Sequence, residues 1–200
     1  MATPTRVRGP YAKTEARRAD ILRTALESFA ERGFQGSSLR EIADAVGLSP
    51  AGILHHFSTK EALLAAVLAE KDAVSVSHFE NAHGLGVLDA LRGVVAENLA
   101  QPGLIRLFTT LSAEAINEEH PAHHYFQIRY AGARELIAGG LAQGQRDGDV
   151  AADVDVQMAA SLLIAIMDGL QMQWLLNEEF DMLAGFDTFL ATFRATISAA

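Results

Sequence analysis

The chain has 200 residues, half of them hydrophobic, with no cysteine and a formal net charge of −9. That length allows one or two domains with a sizeable core. The missing thiols exclude disulfides, thiolate catalysis and cysteine-based zinc sites, and long β-branched alternations are absent, so an all-α protein is expected.

The charge is unevenly spread. Residues 1–60 carry nine Lys and Arg against six Asp and Glu, whereas residues 61–200 carry seven against nineteen. A basic head on an acidic body fits a chain that meets a polyanion at one end, because phosphate affinity follows the local face and not the total.

Residues 1–14, MATPTRVRGPYAKT, lack the apolar segment of a secretory signal. They are expected to form a flexible basic leader, with Arg6, Arg8 and Lys13 available to phosphates or a minor groove. A first helix follows over residues 14–32, with Ile21, Leu22, Ala25, Leu26 and Phe29 as its apolar stripe and Gly33 at its end.

Residues 37–60, SSLREIADAVGLSPAGILHHFSTK, are the most informative part of the chain. Ser38 and Glu41 have capping-box spacing. Leu39, Ile42, Ala43 and Val46 then share one helical face. Gly47 stops that helix as a positive-φ glycine does, and Leu48 plugs the turn. Ser49 and Pro50 open a second short helix with a hydroxyl cap and a first-position proline. Ile53 and Phe57 are its buried face. Ser58 and Glu61 form a further capping-box pair that opens a longer helix ending near residue 78. Two short helices across a tight turn, the second bare of bulk at Ala51 and Gly52, define a helix-turn-helix able to enter a major groove about 12 Å wide.

The residues Phe29, Gly33, Phe34, Ser38, Leu39, Ile42, Ala43, Ala45, Gly47, Leu48, Ser49, Ile53, Phe57, Lys60, Glu61, Leu63 and Leu64 closely resemble the TetR family of bacterial transcriptional regulators. The resemblance covers residues 15–75 and is looser beyond them. It implies an all-helical homodimer with a DNA-binding domain over 15–75, whose helix-turn-helix lies at about 39–58, and a ligand-binding and dimerisation domain over 76–200. It implies phosphate contacts from Ser38 and Lys60. It also implies a groove-facing surface made of Ser49, Pro50, Ala51, Gly52, Leu54, His55 and His56. Arg40 joins this set as a cation whose removal lowers DNA affinity. One departure is that the family usually carries Tyr near Leu54 or His55; Leu54 cannot hydrogen-bond, and His55 does so with a different reach.

Beyond residue 78 a loop is expected at 81–86, then helices at 87–100, 104–117 after a break at Pro102-Gly103, and 121–145 with Pro121 in its first turn. Gly139, Gly140 and Gly144 are expected to weaken or bend the end of that helix. Two apolar helices, 154–176 and 182–197, close the chain. Their residues Leu162, Leu163, Ile166 and Leu170, with Phe186, Phe189, Leu190 and Phe193, are expected at a twofold four-helix interface. Phe108, Leu111, Tyr125, Phe126 and Arg129, with Met167, Asp168, Gln171 and Trp174, are candidates for an effector pocket.

His120, His123 and His124 follow Glu118 and Glu119 and have metal-ligand spacing. Pro121 makes a plain helix start the better reading. No nucleophile elbow, phosphate-cradling loop or HExxH is present, so no enzyme, metal or cofactor is expected. The longest apolar stretch, near 158–167, is broken by Ser161 and closed by Asp168, short of the roughly 20 residues that span a bilayer. The expected protein is cytoplasmic, with double-stranded DNA, a small-molecule effector and a second copy of itself as partners, and no membrane. The alternative from another class is a small-molecule-binding or enzymatic helical bundle that keeps a non-functional DNA-reading head.

Overall fold

The computed structural model describes residues 10–199. Among them are nine α-helices: α1 Pro10–Gly36, α2 Leu39–Ala45, α3 Pro50–His56, α4 Lys60–Ser77, α5 Gly86–Leu99, α6 Pro102–Glu114, α7 His123–Asp147, α8 Val156–Leu176 and α9 Met182–Ile197. The chain forms two compact units, Met1–Ala69 and Glu70–Ala200, with the boundary inside α4. Arg6 and Arg8 of the expected leader lie outside the described residues; α1 begins at Pro10, before the expected start at residue 14.

In the first unit α1 turns sharply at Gly33, whose φ of 71° and ψ of 170° leave the helical region. The turn brings Phe34 beside Phe29, ring centroids 5.7 Å apart. Ser37 Oγ donates to the carbonyls of Ser28 and Gly33 and holds the corner closed. Ile21, Ala25 and Phe29 of α1 are buried with Ile42 and Ala43 of α2, Ile53 of α3, Phe57, and Leu63 and Leu64 of α4. Each large apolar side chain so buried contributes about 1.5–3 kcal/mol.

In the second unit Leu88 and Leu91 of α5, Leu141 of α7, Leu163 of α8 and Phe186 of α9 belong to one core. Asp155 caps α8 by accepting from the N–H groups of Gln157 and Met158, and Asp181 caps α9 by accepting from Ala184 N–H. Arg92 of α5 donates two bonds to Asp187 of α9, at 2.7 and 2.9 Å. Among the described residues α8 alone is long and apolar enough, by length and composition, to cross a bilayer. The expectation that no segment reaches that length underrated it, because Ser161 and Asp168 lie inside the helix without ending it. Leu163, Met167, Leu170 and Trp174 nonetheless bury one of its faces in the core.

Four local expectations are corrected. The cap of α4 is Thr59, not Ser58: Thr59 Oγ1 accepts from Ala62 N–H at 3.0 Å. Pro102 is the first residue of α6 instead of a break before it, and Pro121 sits in the turn ahead of α7. Most plainly, α7 runs unbroken through Gly139, Gly140 and Gly144 to Asp147. Two of those glycines are needed for packing. A Cβ on Gly140 would lie 2.5 Å from Val87 Cγ2, and one on Gly144 would lie 2.3 Å from Gly84 Cα and 2.5 Å from Asp149 Oδ1. Gly84 N–H donates to Gly140 O at 2.8 Å, so the loop before α5 lies directly on the helix.

Gly144→Ala is therefore expected to lower the unfolding free energy by about 2–3 kcal/mol through overpacking, despite alanine's better helix propensity. Gly139→Ala, whose Cβ meets nothing within 4 Å, is expected to raise it by about 0.5–1 kcal/mol. Urea unfolding of the two variants side by side checks both signs.

Candidate nucleic-acid interface and effector cavity

Both helix starts of the helix-turn-helix form as expected. Ser38 Oγ accepts from Glu41 N–H at 3.2 Å, and Glu41 Oε2 accepts from Ser38 N–H at 3.1 Å. Those bonds to Ser38 hold the Glu41 carboxyl below its ordinary pKa. Gly47 has φ 67°, and Leu48 N–H donates to Ala43 O at 2.8 Å, which closes the turn. Arg17 of α1 donates to Val46 O at 3.1 Å, covering a carbonyl left over at the end of α2. Ser49 Oγ accepts from Gly52 N–H at 3.1 Å, with Pro50 as the first helical residue of α3.

Burial then sorts the two faces of α3. Ile53 is fully buried and anchors the helix. Ser49, Pro50, Ala51, Leu54 and His55 are exposed, and Gly52 and His56 are half-buried. Leu54, at 44% exposure, is a large apolar side chain turned to solvent. Around this face, Ser38 is half-buried and Arg40 is exposed on α2. At the first turn of α4 the Lys60 ammonium lies 4.4 Å from the Phe34 ring centroid, a contact that holds the side chain in place. Arg18 stacks over Phe57 in the same way, at 4.4 Å.

The second unit holds a cavity of about 320 Å³ among α4–α8. Of the nine expected pocket residues, Phe108, Phe126, Arg129, Met167, Asp168 and Gln171 line it. The other three do not. Leu111 and Trp174 are buried. Tyr125 is half-buried and donates from its hydroxyl to Asp72, which does line the cavity. Lys71, Asp72 and Ser75 of α4, Asn98 of α5 and Tyr130 of α7 also line the cavity and were not anticipated. The signal was present: Lys71 falls seven residues after Leu64, and Asn98 seven after Leu91, each on the apolar stripe of its helix.

The polar groups there are interlocked. Arg129 Nε donates to Asp72 Oδ1 at 2.9 Å, and Tyr130 Oη donates to Asp168 Oδ2 at 2.7 Å. Burial opposes the Arg129 charge, but Asp72 outweighs it and raises the guanidinium pKa further. Burial pushes Tyr130 up to about 12, reinforced by Asp168, and raises Tyr125, reinforced by Asp72. Both hydroxyls thus keep their protons and serve as donors. Burial raises Asp168, partly offset by Tyr130 and Arg129. Burial lowers Lys71, partly offset by Glu97.

The expected twofold face requires a larger correction. Leu163, Leu170, Phe186 and Leu190 are buried in the chain's own core. Ile166, Phe189 and Phe193 are half-buried against the edge of that core, with the Phe189 and Phe193 rings stacked at 5.2 Å. Of the eight, Leu162 alone is exposed, at 50%. The outward stripe of α8 is instead Met158, Leu162, Ala165, Gly169, Met172 and Leu176, at alternating intervals of four and three, all exposed. The histidines take local roles: His120 Nδ1 accepts from Ala122 N–H, and His123 Nδ1 lies 2.7 Å from Ala115 O. Among the described residues no three His, Asp or Glu side chains gather to hold a metal.

A capped helix-turn-helix in one unit and a cavity-bearing helical bundle in the other define a one-component transcriptional regulator. Comparison with known proteins gives the family. Residues 21–67 match the bacterial regulatory proteins of the tetR family, and residues 87–196 match the C-terminal part of BetI-type transcriptional repressors. The chain is 30% identical over 167 residues to the HTH-type transcriptional repressor KstR2 of Rhodococcus jostii (strain RHA1), covering 74% of each chain. It is 27% identical over 189 residues to the HTH-type transcriptional regulator UidR of Escherichia coli (strain K12), covering 92% of this chain and 94% of that one. The solved structure of Salmonella enterica GusR superposes with a TM-score of 0.75 at 25% identity, over 96% of this chain and all of that one. The chain belongs to the tetR family and is a DNA-binding transcriptional regulator.

Proposed function

We propose that the protein is a homodimeric, effector-controlled repressor in the cytoplasm. Each subunit seats α3 in the major groove of one half of a near-palindromic operator, and no reaction is catalysed. The observation that carries this is α3 itself. It is anchored by the fully buried Ile53 and turns Ser49, Pro50, Ala51, Leu54 and His55 to solvent. A bare first turn allows the backbone to approach base edges, and the Ser49-capped N-terminus favours phosphate. Ser38, Arg40 and Lys60 supply the flanking phosphate contacts.

Twofold pairing is supported by the exposed stripe of α8. Its four-and-three spacing is that of a helix seam, and Ala165 and Gly169 at its middle let two copies approach closely. Exposed Ala184, Thr188, Ala191 and Ala195 continue a small-residue face on α9.

The cavity is the effector site. Lys71, Asp72 and Ser75 lie on α4, the helix that opens with Lys60. An effector held there bears on the helix whose first turn meets phosphate. It releases DNA only if it prefers the arrangement that does not bind DNA, since differential affinity sets the shift.

The test is a fluorescence-anisotropy titration with operator DNA over a salt series. Arg40→Ala and Lys60→Ala are each expected to weaken binding and to reduce the slope of log affinity against log salt by about one. Unchanged slopes in both would favour a small-molecule-binding bundle with an idle reading head.

A further inference from the structure

The polar groups that line the effector cavity differ in how far they are already committed. Asp72 is committed to Arg129 Nε and to the Tyr125 hydroxyl, and Asp168 accepts from Tyr130. The Lys71 ammonium, with the residue only 8% exposed, is different. One of its three hydrogens goes to Ser75 Oγ at 3.1 Å, and no carboxylate lies within ion-pair distance of it among the described residues. Glu97 and Asp72 offset part of the cost of burying it from beyond ion-pair distance, and an anionic group seated directly on the ammonium would offset more. Burial does oppose its charge.

Asn98 is a second incompletely satisfied polar group of the cavity, and the orphaned atom is its acceptor oxygen. It lines the cavity at 4% exposure, and its Oδ1 is buried with no hydrogen-bond partner. The two ends of an amide interchange by a flip of the side chain, so this group can present an N–H to a ligand. His120 Nε2 is the one other buried side-chain atom so orphaned among the described residues, and it lies outside the cavity lining, so the orphaned amide points to a partner that is not protein.

The aromatic surfaces argue against a cationic ligand. A quaternary ammonium needs open ring faces. Here the Arg129 guanidinium already lies 5.0 Å from the Phe108 centroid and 5.7 Å from that of Tyr130. A ligand cation would displace that guanidinium and would also face Lys71. The mouth is apolar: Val76, Ile128 and Met172 line the cavity and are 51–60% exposed.

Granted the effector role of this cavity, we propose that it takes an amphipathic organic anion. The carboxylate sits inward on the Lys71 ammonium and the Asn98 amide, and the apolar body runs past Phe108, Phe126 and Met167 to the mouth.

The test is calorimetric titration of the full chain with decanoate, decanamide and decyltrimethylammonium, three probes with matched tails. Decanoate is expected to bind roughly ten- to a hundredfold more tightly than either of the others. Lys71→Met is expected to remove that preference and leave decanamide affinity unchanged, and Lys71→Arg to retain it. Asn98→Leu, which alters no charge, is expected to weaken decanoate by several-fold. Equal or tighter binding of decyltrimethylammonium, or a decanoate preference that survives Lys71→Met, overturns the assignment while leaving the cavity an effector site. Failure of all three probes to bind, with operator binding intact, removes the effector role of the cavity together with its charge preference.

Discussion

Gly52→Glu is expected to abolish operator binding while leaving the fold as stable as before or slightly more so. A Cβ at Gly52 would meet Leu48 Cβ at 3.4 Å and Ser49 Oγ at 3.6 Å, ordinary contact distances, so the free protein has room for a side chain. Position 52 is also the third helical residue after the Ser49 cap. A glutamate there completes a capping box and complements the helix dipole, gains of about 0.5 kcal/mol. On DNA the same carboxylate stands where the helix N-terminus meets phosphates, in a groove with no space for it. The loss in operator affinity should be at least about a hundredfold. Anisotropy on operator DNA and a circular-dichroism melt read the two effects separately. Wild-type affinity in a folded Gly52→Glu protein would show that α3 does not enter the groove.

Gly169→Arg should be comparably damaging from a distant site. Gly169 is exposed at the middle of the α8 stripe, and a Cβ there meets nothing within 4 Å, so the isolated subunit tolerates the change. In a twofold pair each introduced guanidinium faces its own symmetry mate across a seam built from small residues. Sedimentation velocity should show monomers where the parent chain gives dimers. Operator affinity should fall by about a thousandfold, toward non-specific binding, because a single head reads half a site. A dimer that survives Gly169→Arg would move the interface away from α8.

Local signals made the reading head legible. The Ser38–Glu41 box, the Gly47 turn and the Ser49–Pro50 start are all satisfied within a few residues along the chain, and all three form. The Ser58 cap gives way to Thr59 because adjacent hydroxyls are equivalent on paper until the path of the backbone is known. Gly140 and Gly144 were misjudged for a different reason. Their purpose lies in Val87, Gly84 and Asp149, more than fifty residues away or across a turn, and only tertiary packing shows it. The α8 face was ambiguous because the helix is apolar almost all round. Leu163 and Leu162 are alike by composition, yet one is fully buried and the other half exposed. In the cavity Phe108, Phe126 and Arg129 were anticipated, whereas the aromatics Phe79 and Tyr130 were not. Lys71 and Asn98 were passed over, although a polar residue on an apolar stripe is the mark of a group reserved for a ligand.

In-vitro selection from a random duplex pool with the full-length protein tests the central claim most directly. Enrichment of an inverted repeat, its half-sites separated by one or two helical turns and its recovery lost in Gly52→Glu, is the predicted result. Selection of no sequence, or of a single unrepeated half-site, would contradict a twofold reader built on α3.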